Sequence, residues 1–103
     1  MRQASWAESV FWLFTVLVDE TKYGMNSRNL LGQLGEAGIQ TRPLAQPMHL
    51  SPVYADLNHC DCPVASRLYQ EGLSLPCSVG LGDSQLRVLD ALKLTSPLEQ
   101  KRP

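Results

Sequence analysis

The chain has 103 residues, 44% of them hydrophobic, and a formal net charge of −1. That is enough for one small domain and too little for two. Ordinary apolar content excludes disorder, and lysines and arginines scattered without a basic stripe argue against a nucleic-acid partner.

The first nine residues, MRQASWAES, hold no element and lead straight into an apolar run. A domain that opens so abruptly reads as the second half of something larger. Residues 10–19 (VFWLFTVLVD) are β-branched and aromatic, and they predict a strand covered on both faces. The run is too short to span a bilayer and no cleavage-site pattern follows it. Trp6, Phe11, Trp12 and Phe14 place four of the seven aromatics within nine positions. In so small a chain they are expected to dominate the core, or a surface that was once a core. Residues 20–25 predict a polar connection with Gly24 as its turn residue.

Asn26 or Ser27 can cap a helix running to about Ala37, with Gly38 ending it in the left-handed conformation. Its apolar stripe is Leu30, Leu31, Leu34 and Ala37. Gly32 and Gly35 each cost about 1 kcal/mol relative to alanine, so this helix depends on packing. Ile39, Gln40 and Thr41 predict a short strand. Pro43, Pro47 and Pro52 then fix φ and push the residue before each towards extended geometry. The stretch from residue 38 to 52 (GIQTRPLAQPMHLSP) therefore reads as a stiff ribbon carrying a guanidinium (Arg42), an amide (Gln46) and an imidazole (His49). Such a ribbon can line one wall of a pocket. The plainer alternative pairs Arg42 with a carboxylate and leaves His49 a satisfied surface histidine.

Residues 54–61 predict a polar link. Pro63 suits the first position of a second helix whose buried face is Val64, Ala65 and Leu68, with Gly72 ending it. Residues 73–75 predict a very short strand stopped by Pro76. Asp83 can cap a third helix through Leu94, with Leu86, Val88, Leu89 and Leu92 inward. Residues 95–103 predict a polar, frayed tail after a single domain over 1–94. The order implies an α+β fold: a small, mostly antiparallel three-stranded sheet with about three helices on it. An uncovered sheet face beside the apolar first strand invites a partner.

Taken together, FWLFTVLVD, EAGIQTRPLAQPMHLSP and CPVASRLYQEGLSLPCSVGL resemble the C-terminal part of the DegT/StrS-type nucleotide-sugar aminotransferases. These are pyridoxal-phosphate enzymes of the aspartate-aminotransferase fold. The resemblance covers residues 6–92, whereas the family's enzymes are several times longer, with the cofactor in a large N-terminal domain. It implies that the intact protein moves an amino group from an amino acid, typically glutamate, to a nucleotide-linked keto-sugar. By the same resemblance Arg42 and His49 are substrate-side residues, with Gln46 and Tyr54 as neighbours. The large domain or a second subunit is the implied partner. The sequence departs from the family at Ala45, where an aromatic is usual, and in the loop GDSQL, which is a residue shorter.

Transamination needs a Schiff-base lysine, an acid for the pyridinium nitrogen and donors for the phosphate. The family's lysine follows a serine-and-histidine segment, and none of Lys22, Lys93 and Lys101 has that context. No glycine- or serine-rich phosphate cradle opens a helix. This chain alone is therefore expected to hold no cofactor and to have no catalytic residue. The alternative reading is a standalone, non-catalytic domain that binds a partner through its apolar first strand. A third reading, metal binding by His59, Cys60 and Cys62 with Cys77 or His49, is weakened because only Asp61 separates Cys60 from Cys62. An odd set of thiols with no preceding signal peptide fits a reducing cytoplasm.

Overall fold

A computed structural model describes residues 3–57 and 61–97. Its centre is an antiparallel three-stranded sheet: β1 (Phe14–Leu17), β2 (Arg42–Pro43) and β3 (Gly72–Leu75), in the order β1-β3-β2. Phe14 pairs with Leu75 and Leu17 with Gly72, while Arg42 pairs with Ser74 and Pro43 with Leu73. Four helices complete the fold: α1 (Glu20–Tyr23), α2 (Ser27–Glu36), α3 (Pro63–Glu71) and α4 (Ser84–Thr95). The α+β expectation holds, with α1 as an additional single turn where a plain connection was expected.

Helix α1 starts because Asp19 accepts hydrogen bonds from the Thr21 and Lys22 amides. The Thr21 hydroxyl also donates to that carboxylate at 2.6 Å and, as the largest influence, holds it below the usual carboxylate range. Gly24, at φ 93, ends the turn. In α2, Asn26 Oδ1 accepts from the Asn29 amide at 2.9 Å. Leu30 and Leu34 carry the buried stripe, Leu31 packs at its margin, and Ala37 is exposed rather than inward. Gly38, at φ 75, turns the chain so that the Ile39 amide reaches the Leu34 carbonyl at 2.8 Å.

The core is aliphatic: Val18, Met25, Leu30, Leu34, Ile39, Leu73 and Val88. The aromatic run does not dominate it. Trp6, Phe11 and Trp12 are 87%, 76% and 79% exposed, and Phe14 and Leu17 are half exposed. Nor is residues 10–19 one strand. Phe11 adopts φ 50, outside extended geometry, so the strand starts only at Phe14. As an edge strand, β1 turns Val16 towards the core, half-buries Thr15 against Ser74 and leaves Phe14 and Leu17 open, while Val18, just past its end, is core. Val64, Leu86 and Leu89 are likewise exposed rather than inward, because α3 and α4 each meet the rest of the fold along a narrow stripe.

Polar bonds tie the layers. The Ser27 hydroxyl, itself buried, donates to the Gln70 carbonyl, and Arg28 donates to the Tyr69 carbonyl at 3.0 Å while lying 4.8 Å over its ring. Helix α4 continues to Thr95. The Tyr23 hydroxyl bonds the Leu92 carbonyl, and Ser96 donates to the Tyr23 carbonyl at 3.0 Å.

Candidate functional site

Residues 39–42 alternate: Ile39 and Thr41 are buried, Gln40 and Arg42 exposed. This is strand periodicity, although the strand expected over Ile39, Gln40 and Thr41 is not paired: pairing with β3 begins beyond it, at Arg42. Pro43, with no N–H to donate, suits an edge strand. The guanidinium of Arg42 forms no ion pair: among the described residues those are Lys22–Asp19 and Arg67–Glu71. The plainer expectation of a carboxylate partner for Arg42 is therefore not met.

The stiff-ribbon expectation holds at Pro47, which sits at φ −60, ψ 143. Beyond it the chain tightens into two 3₁₀ turns, Met48–Leu50 and Pro52–Tyr54. A proline favours the start of such a turn as readily as it favours extension before itself, and Pro52 does the former. Gln46 Nε2 donates to the Leu50 carbonyl at 2.9 Å and closes the first turn. His49 Nε2 lies 2.8 Å from the Ser66 hydroxyl, docking that turn on α3. Tyr54, in the second turn, is at the surface.

A cleft of about 440 Å³ opens where the 39–42 edge, the end of β3 and the first turn of α4 meet. Ile39, Leu75 and Val88 form its apolar part, and Arg42, Ser84 and Arg87 bring polar groups to it. His49, Gln46 and Tyr54 do not line it. The four residues singled out in the sequence thus fall into two groups, Arg42 at the cleft and the other three along the turns. Arg87 was missed by sequence reasoning. Its only signal is a cation one turn into a helix whose other face is leucine-rich.

Beside this cleft, Phe11, Leu13, Phe14, Pro76 and Leu89 enclose an apolar cavity of about 310 Å³. Cys77 lies between the two cavities, and its thiol donates to the Trp12 carbonyl at 3.3 Å. No group of three metal-ligating side chains occurs among the described residues, and His59 and Cys60 lie outside them. No helix among the described residues is long and apolar enough to cross a membrane.

A small α+β layer with arginines at a cleft beside one sheet end defines the class of domain. Comparison with known proteins says which kind. Residues 1–93 match the model of the DegT/DnrJ/EryC1/StrS aminotransferase family, and the chain belongs to that family. It is 36% identical over 86 residues to GDP-perosamine synthase of Caulobacter vibrioides, a match covering 81% of this chain and 22% of that enzyme. It also superposes on the crystal structure of DesI in the presence of its TDP-sugar product, with a TM-score of 0.76 and 27% identity. That match covers 85% of this chain and 23% of DesI. The fold is therefore that of a domain of the aspartate-aminotransferase-fold enzymes. The chain spans less than a quarter of either relative's length.

The family depends on pyridoxal phosphate. The residues described here do not fit that group. Lys22 is 84% exposed and spent on Asp19 at 3.3 Å, and Lys93 is exposed in the last turn of α4. A Schiff-base lysine needs a desolvated amine, and both of these stand in solvent.

Proposed function

We propose that this chain is the C-terminal small-domain portion, over residues 1–94, of a cytoplasmic pyridoxal-phosphate-dependent nucleotide-sugar aminotransferase. The intact enzyme transfers an amino group from an amino acid, typically glutamate, to a nucleotide-linked keto-sugar. The observation that carries this reading is the family match over residues 1–93 together with an alignment that covers only 22% of GDP-perosamine synthase. The cofactor and its lysine belong to the large domain or a second subunit. Arg42 at the cleft and His49 on the neighbouring turn are the substrate-side residues, with Gln46 and Tyr54 as weaker neighbours on the turns. The unpaired guanidinium of Arg42 suits an anionic or hydroxyl-rich ligand. The bond from His49 to Ser66 holds the imidazole in place.

One experiment with two arms tests this. Incubated with pyridoxal phosphate and passed over a sizing column, the chain alone retains no cofactor and consumes no glutamate. Grafted in place of the matching region of GDP-perosamine synthase, it supports amino transfer. Stoichiometric cofactor on the isolated chain, or a folded chimera without activity, overturns the reading.

A second reading, a non-catalytic domain that docks on a full-length aminotransferase, is favoured by the surface. The chain exposes 8279 Å², against about 5,800 Å² for a monomer of its mass. Its Cα radius of gyration is 16.1 Å, whereas a compact domain of this length has about 13 Å. The excess surface includes the aromatic run of residues 6–14, which the fold does not cover.

A further inference from the structure

We infer that the 440 Å³ cleft at the sheet end is a binding site for a small polyanion, phosphoryl or dicarboxylate, held between Arg42 and Arg87. The inference shares Arg42 with the reading above and rests on it to that extent. Both arginines contribute to the cleft lining, and among the described residues no aspartate or glutamate does. Two like charges at one concavity repel each other and focus positive potential there, which an anion relieves.

Among the described residues neither arginine has an ion pair. Arg87 donates one N–H to the Ala37 carbonyl at 2.9 Å, which leaves most of its fork unspent. Asp83 and Asp90, one turn either side of it on α4, form no ion pair with it. The single carbonyl bond is enough to aim Arg87, because it fixes the head of a long side chain against the end of α2.

The rest of the lining suits the same ligand. Ser74, Ser78 and Ser84 supply hydroxyl donors. Ser74 is oriented by Thr15, whose Oγ1 lies 3.2 Å from its own. Ser84 opens the twelve-residue α4, so the positive end of that helix dipole faces the cleft. Its first amides are occupied by the Leu81, Gly82 and Asp83 carbonyls, so the helix adds field and the side chains make the bonds. Ile39, Leu75 and Val88 lower the local dielectric and strengthen each charge-assisted bond. The volume exceeds one phosphate and falls in the range of small-ligand sites, roughly 300–1,000 Å³.

The test is a heteronuclear NMR titration of the full chain with inorganic pyrophosphate and, separately, with glutamate. Saturable shifts are expected at the Ser78, Ser84 and Arg87 amides and at the Arg42 and Arg87 Nε–H groups. The tighter of the two probes identifies the source as phosphoryl or carboxylate. Arg87→Gln weakens binding roughly tenfold and Arg87→Lys much less, since charge is kept. Arg42→Gln, which removes no internal bond, has the same effect on an unperturbed fold. Lys93→Gln, which removes the same charge in the last turn of α4 away from the cleft, leaves binding unchanged. Shifts that fail to saturate with both probes, or affinity unaltered in both glutamine variants, overturn the inference. A working chimera in the face of that failure would leave the aminotransferase reading standing.

Discussion

Thr41 carries the one buried side-chain polar atom without a partner among the described residues. It sits between Gln40 and Arg42, turned inward by the same alternation that turns them outward. A buried, unpaired hydroxyl costs about 1–3 kcal/mol, and the isosteric methyl does not. Thr41→Val is therefore expected to stabilise the chain by about 1 kcal/mol in urea denaturation, with β-propensity preserved. A loss of stability would show that the hydroxyl makes a bond after all. At this scale the chemistry of Arg42 and His49 was legible as residue types, because the prolines around them mark a constrained segment. What each side chain faces was not, since His49 meets Ser66 from another helix and Arg42 meets a cleft built partly by α4.

Helix α3 passes into β3 with no intervening loop, and Gly72 is both the last cap and the first strand residue. Its role as a terminator was readable, but the reason lies in packing. Its φ is −76, open to any residue. A Cβ there would lie 2.4 Å from Leu44 Cδ1 and 2.5 Å from the Leu68 carbonyl oxygen. The carbonyl belongs to the helix end that the Gly72 amide caps, so it cannot simply withdraw. Gly72→Ala is expected to destabilise by about 1–3 kcal/mol, read as a lowered melting temperature. An unchanged melt would mean that Leu44 and the last turn of α3 rearrange at no cost. The helices themselves were placed closely from caps and apolar spacing, because those signals are local: Asn26 at α2, Pro63 at α3 and Val88 within α4.

On the scale of the whole molecule, the aromatic run of residues 6–14 is the feature that the chain's own fold leaves unsatisfied. Exposed large apolar side chains gathered in one segment mark an interface. The chain is expected to bind the dye ANS strongly. A Phe11→Ser, Trp12→Ser pair should remove most of that signal while changing stability by no more than about 0.5 kcal/mol, since both rings are outside the core. A large stability loss in that variant would place the rings in a core that the structure does not show. The same exposure gives both functional readings their physical basis. A large domain joined in cis and one supplied in trans would cover the same face.

The sequence by itself determined the class of fold, the bounds of α2, α3 and α4, and the family resemblance, because capping, periodicity and motif spacing act within a few residues of one another. Only the tertiary structure decided which apolar residues are core. The composition of residues 10–19 is that of a buried strand, yet burial depends on what lies on the other side. Here β1 is an edge with Phe11 turned out of extended geometry. The structure alone brought Arg87 to Arg42, across forty-five positions of chain, because α4 packs on α2 and its first turn faces the sheet end. Such a meeting has no local signal, since it is set by how layers dock.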